Sequence, residues 1–109
     1  MLIADNFLNE ERFANAYTSG KFRIKKWGKL KIRQGLKFKQ VPDKLIQKAL
    51  NKIDMDEYLE TLRLSAVKKS ILLRGADGQK KTQQLITYLR GKGFENDLIF
   101  DVLKANNLP

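Results

Sequence analysis

The chain has no cysteine and no histidine among its 109 residues. The first absence removes disulfide frameworks and thiolate chemistry. The two together remove zinc-finger sites, imidazole acid–base catalysis and the usual serine or cysteine triads. Proline occurs only twice, at Pro42 and Pro109. No apolar run approaches the length of a membrane span, and no stretch has the pattern of a signal peptide. A cytoplasmic protein without membrane contact is expected. Glycine-rich phosphate loops are missing too. GADG at 75–78 and GKG at 91–93 lack the Gly-x-x-x-x-Gly-Lys-Ser/Thr spacing and a preceding strand. The densest acidic group, Asp54, Asp56, Glu57 and Glu60, sits at a helix start, where the dipole favours acid, so capping explains it better than a metal. No catalytic residue, metal ligand or cofactor is expected, and the chain does not read as an enzyme.

Acid is also absent from the stretch KFRIKKWGKLKIRQGLKFKQ, residues 21–40, which carries nine Lys or Arg and the only tryptophan. From Lys21 to Lys52 the net charge is +11, and the remainder of the chain sums to −1. Solvated helix faces usually mix signs so that neighbours at i,i+4 attract. Segregation of this kind creates a local field suited to nucleic acid, an acidic protein surface or an anionic membrane. The candidate binding residues are Lys21, Arg23, Lys25, Lys26, Lys29, Lys31, Arg33, Lys37 and Lys39. Trp27 is read as a packing residue more than a base-stacking one. Phe22 and Phe38 are expected to be partly exposed, Phe38 as a partner contact.

The punctuation is helical throughout. Asn9 is expected to cap a first helix opening with Glu10 and Glu11, with Phe13, Ala16, Tyr17 and Ile24 as its apolar face. Gly28 breaks it. A second helix is expected over about Lys29–Lys39, with Ile32 and Leu36 inward and Lys29, Arg33 and Lys37 as a basic ridge. Pro42 suits the start of a third, striped by Leu45, Ile46, Ala49, Leu50 and Ile53. Asp54 and Glu57 have capping-box spacing for a fourth, with Tyr58, Leu59, Leu62 and Ala66 on one face. Arg74–Gly78 reads as a loop. Leu85, Ile86 and Leu89 mark a fifth helix ending at Gly91-Lys92-Gly93. Leu98, Ile99, Val102 and Leu103 mark a sixth.

LKFKQVPDKLIQKAL (36–50) lies over LRGKGFENDLIFDVL (89–103) at a constant offset of 53. Leu36 meets Leu89, Lys39 meets Lys92, Val41 meets Phe94 and Leu50 meets Leu103. The reading is an all-α array of tandem three-helix repeats, elongated and curved. Its expected parts are a repeat over 9–53, a second over 54–109, and residues 1–8 as an N-terminal arm or the remnant of a preceding repeat. An autonomous helix-turn-helix module acting through segment 21–52 is the alternative, and a helical adaptor for an acidic protein is a third.

FLNEERFANAYTSGKFRIKKWGKLKIRQGL (7–36), then LIQKAL (45–50) and LRGKGFENDLIFDVL (89–103), resembles the RecX family of bacterial recombination regulators. The elements that carry the resemblance are Glu11-Arg12-Phe13-Ala14, Trp27-Gly28, Lys31-Ile32-Arg33-Gln34 and Gly93-Phe94. The resemblance implies three-helix repeats, usually three, of which this chain would hold the second and third. It implies binding to the RecA filament and to single- or double-stranded DNA. It also implies control of recombination and the SOS response by inhibiting filament growth, ATP hydrolysis and strand exchange. A monomer is expected. Gly35, mid-helix, departs from the pattern and costs about 1 kcal/mol relative to Ala.

Overall fold

The computed structural model describes residues 3–73, 75 and 78–106, with side chains from residue 10 onward. Six helices follow in order: α1 (Ile3–Arg23), α2 (Lys29–Phe38), α3 (Asp43–Asn51), α4 (Met55–Leu72), α5 (Gly78–Gly91) and α6 (Asn96–Ala105). No strand occurs among the described residues. Helices α1–α3 pack on one another, and so do α4–α6. The two bundles lie end to end in a body of 57 × 23 × 21 Å. Its radius of gyration is 16.1 Å, against about 13 Å for a compact domain of this length. The all-α tandem arrangement read from the sequence is therefore the fold.

Most helix ends lie where the punctuation put them. Pro42 precedes α3, and Asp54 caps α4 by accepting the Glu57 N–H at 3.0 Å. Removal of such a cap typically costs about 1 kcal/mol. The offset of 53 is repeated in the backbone. At the end of α2 the Gln40 N–H donates to Lys37 O and the Val41 N–H to Leu36 O. At the end of α5 the Gly93 N–H donates to Arg90 O and the Phe94 N–H to Leu89 O. Both are Schellman turns, with the apolar residue after the turn closing onto the helix. Gln40 and Gly93 take the left-handed conformation at φ 64° and 97°.

The first helix differs from expectation. It starts at Ile3, so Asn9 lies inside it rather than capping it. Its buried side is Ala14, Thr18 and Phe22, with Tyr17 packed alongside. Phe13, Ala16 and Ile24 fall on the outside, Ile24 at 78% exposure. A small alanine and a polar threonine concealed the true i, i+4, i+8 stripe. Phe22, expected to be partly exposed, is buried in the core. Leu98 is half-buried, beside the fully enclosed Ile99. The loop expected over Arg74–Gly78 falls largely outside the described residues.

The bundles are joined by main chain. The Gly28 N–H donates to Lys92 O at 2.6 Å, and the Leu30 N–H to Gly93 O at 2.9 Å. A Cβ on Gly28 would overlap the backbone of Gly93 and Phe94, and one on Gly93 would overlap Lys31. The α1–α2 turn therefore sits directly on the α5–α6 turn. Beneath it, Tyr58 is enclosed between Phe22 and Phe94, with ring centroids 5.8 and 5.5 Å away. Its hydroxyl accepts the Lys29 N–H at 2.8 Å and donates to the Glu95 carboxylate.

Candidate nucleic-acid interface

The nine basic residues of segment 21–40 do not share one face. Their separation follows from α2, whose buried Ile32 and Leu36 divide its surface in two. On one side, the lysines are held over rings. Lys21 Nζ lies 4.8 Å from the centroid of Trp27 and 5.4 Å from that of Tyr17, and Lys31 Nζ lies 4.5 Å from Trp27. Trp27 is half-buried against the core and edge-on to Tyr17, so it packs and carries cations at once. An ammonium over an exposed ring gains about 0.5–1 kcal/mol.

On the other side, the ridge of Lys29, Arg33 and Lys37 is engaged internally. Lys29 lies over the Tyr58 ring at 5.0 Å. Arg33 donates to Gln47 on α3 at 2.8 Å. Lys37 pairs with Asp43 at 3.7 Å. Arg23 pairs with Glu57 across the joint at 3.8 Å. These pairs are exposed and hold little energy individually, but they place counter-charge beside the ridge. Lys25, Lys26 and Lys39 have no carboxylate partner among the described residues. Phe38 is 86% exposed at the end of α2.

Three lysines of the second repeat, hidden in a stretch whose net charge is only +1, join the first face. Lys69 on α4 and Lys92 after α5 both lie over the Tyr88 ring, at 4.9 and 5.7 Å. Burial pushes the Lys92 ammonium below its ordinary pKa, and the positive charges of Lys26 and Lys68 push it further the same way. Lys26 reaches Lys92 because the joint docks the α1–α2 turn on the α5–α6 turn. Segment sums of charge could not reveal this, since the contact depends on backbone bonds from Gly28 and Leu30 to the distant Lys92 and Gly93. Each of Trp27 and Tyr88 thus carries two lysines, one ring on each side of the joint. No ion pair involves Lys21, Lys26, Lys31, Lys68, Lys69 or Lys92 among the described residues.

No group of His, Cys, Asp or Glu able to hold a metal occurs among the described residues. Among them, too, no helix is long and apolar enough to cross a membrane. The face offers cations and aromatic surface, which is the chemistry of phosphate and base recognition.

Comparison with known proteins bears on both bundles. Residues 9–50 match the second three-helix domain of RecX, and residues 56–103 match the third. A regulatory protein RecX of Chlorobaculum tepidum is 35% identical over 99 residues, covering 91% of this chain and 59% of its own. One of Clostridium acetobutylicum is 37% identical over 103 residues, covering 91% and 47%. One of Clostridium botulinum is 34% identical over 101 residues, again covering 91% and 47%. The chain spans about half the length of the curated relatives it matches. No solved structure matches it.

Proposed function

The chain belongs to the RecX family, and from that premise we propose that it regulates homologous recombination by binding the RecA–DNA filament. In this reading it slows filament growth, ATP hydrolysis and strand exchange as part of the SOS response. It works as a cytoplasmic monomer with no catalysis of its own. The observation that carries the reading is the match of both three-helix bundles, in order, to the second and third domains of a recombination regulator.

The geometry supports it in two ways. An elongated body 21–23 Å across its short axes suits a filament groove better than a compact globule does. A face of unpaired lysines meets DNA phosphates, each contact releasing counterions. Inhibition then follows from occupancy: a rod held in the groove competes with the DNA exchange and subunit motions that take place there.

The helix-turn-helix alternative is disfavoured by the joint. In that motif the N-terminal residues of the second helix read base edges. Here the N-terminus of α2 is hydrogen-bonded to the α5–α6 turn through Gly28 and Leu30. Its basic ridge is also turned toward Tyr58, Gln47 and Asp43.

Fluorescence anisotropy tests the proposal. Labelled single-stranded DNA is titrated bare and coated by the host's RecA with a slowly hydrolysed nucleotide. Markedly tighter binding to the coated strand, with reduced RecA ATP turnover, is the expected result. Equal or better binding to bare DNA, lost steeply with salt, would reject a filament-directed role.

A further inference from the structure

We propose that the phosphodiester backbone of a nucleic-acid strand runs across the joint between the two repeats. Its track leads from the Trp27 ring with Lys21 and Lys31 to the Tyr88 ring with Lys69 and Lys92. The proposal rests on the reading that the chain engages DNA, and it adds a second half-site on a repeat whose summed charge gives no hint of one.

Four observations carry it. First, the two half-sites have the same composition, one half-buried aromatic ring with two ammonium groups within 6 Å of its centroid. Second, no described carboxylate forms an ion pair with the track. The ion pairs among described residues join Arg23, Lys37, Lys48 and Arg63 to acids. Third, the halves are contiguous. Lys92 O accepts the Gly28 N–H, one residue from Trp27, and Lys31 abuts Gly93. Fourth, Lys92 is part-buried beside Lys26 and Lys68 with no neutralising group, which an incoming phosphate would supply.

The rings do two things. They hold long, flexible lysines in place, so less side-chain freedom is lost when a phosphate arrives. They also present apolar edges on which unstacked bases can rest, a contact open to a single strand and closed to a duplex. A single strand should therefore bind better than a duplex of equal length. An acidic protein surface would use the lysines but gain nothing from the rings.

The test uses the full chain and three probes: labelled oligo(dT), a duplex of the same length, and oligo(dT) coated by RecA. Two double variants, Lys21→Gln/Lys31→Gln and Lys69→Gln/Lys92→Gln, are compared with a remote control, Lys44→Gln/Lys104→Gln. Circular dichroism confirms that each is folded. Each track variant should weaken oligo(dT) binding on the order of tenfold at low salt. Each should also flatten the log–log salt slope by about 1.4, two contacts at roughly 0.7 apiece. The control should match the parent protein. Unchanged oligo(dT) affinity and slope in Lys69→Gln/Lys92→Gln would overturn the track. Loss of coated-filament binding with bare-DNA binding intact would also overturn it, placing these lysines on protein while leaving the recombinase reading standing. If the parent protein shows no preference for the coated filament but both track variants lose oligo(dT), the recombinase reading fails and the track stands.

Discussion

Tyr58 shows how much one side chain can settle. Its ring fills the space between Phe22 of the first repeat and Phe94 of the second, and its hydroxyl links Lys29 to Glu95. Burial drives the phenol pKa upward from its ordinary 10.0, and the bond to Glu95 adds to the shift, while the Lys29 N–H opposes it. The folded state therefore holds the proton more tightly than the unfolded chain does. Its contribution is intact below about pH 10, the unfolded tyrosine value, and erodes as pH rises above it. Tyr58→Phe keeps the ring but leaves the Glu95 carboxylate and the Lys29 N–H short of a partner. It should cost about 1–3 kcal/mol at neutral pH, read from the denaturant midpoint. The gap between variant and parent should narrow in alkaline buffer, and a gap that stays constant would mean the hydroxyl does not titrate as described. The sequence marked Tyr58 as an inward residue of α4. It could not show the hydroxyl's partners, because Lys29 and Glu95 lie far away along the chain.

At the scale of elements, the glycines divide into two kinds. Gly28 faces the backbone of Gly93 and Phe94, which cannot retreat without separating the repeats. Gly35 faces only the end of the Tyr17 side chain, which can swing aside. Gly28→Ala should thus lower stability by about 1–3 kcal/mol. Gly35→Ala should fall within about 1 kcal/mol of the parent, helix propensity offsetting the displaced ring. Thermal unfolding of the two variants side by side checks the contrast. The sequence reading of Gly35 as a plain helix penalty thus gains a reason, since the missing Cβ lets α1 lie close to α2. The starts of α2, α3 and α4 and the end of α5 were legible because glycine, proline and aspartate mark those ends, and clean stripes such as Leu45-Ile46-Ala49-Leu50 mark the cores. The start and inner face of α1 were not, since a helix continuing through Asn9 has no signal there and its stripe contains Thr18. Of the site, the lysines around Trp27 were visible as a charge run. Lys69, Lys92 and Tyr88 were not, because they meet the first repeat only through the folded joint.

For the whole molecule, two bundles that share Tyr58, two backbone hydrogen bonds and a glycine-on-glycine contact should not unfold separately. Calorimetry is expected to give one transition whose calorimetric and van't Hoff enthalpies agree. Two resolved transitions would show that the joint is weaker than its contacts suggest. Main-chain bonding is not screened by ions, whereas lysine–phosphate attraction is. Salt that strips the protein from DNA should accordingly leave the single transition in place. The same division governs how the sequence is free to change. What fixes the angle between the repeats is the close approach at Gly28 and Gly93, the main-chain bonds beside it and the Tyr58 ring beneath, and the ammonium groups of the outward lysines take no part in it. Successive generations can therefore trade one lysine for another along the face, retuning grip or partner preference. The posture of the molecule is inherited unaltered as long as those two positions stay bare.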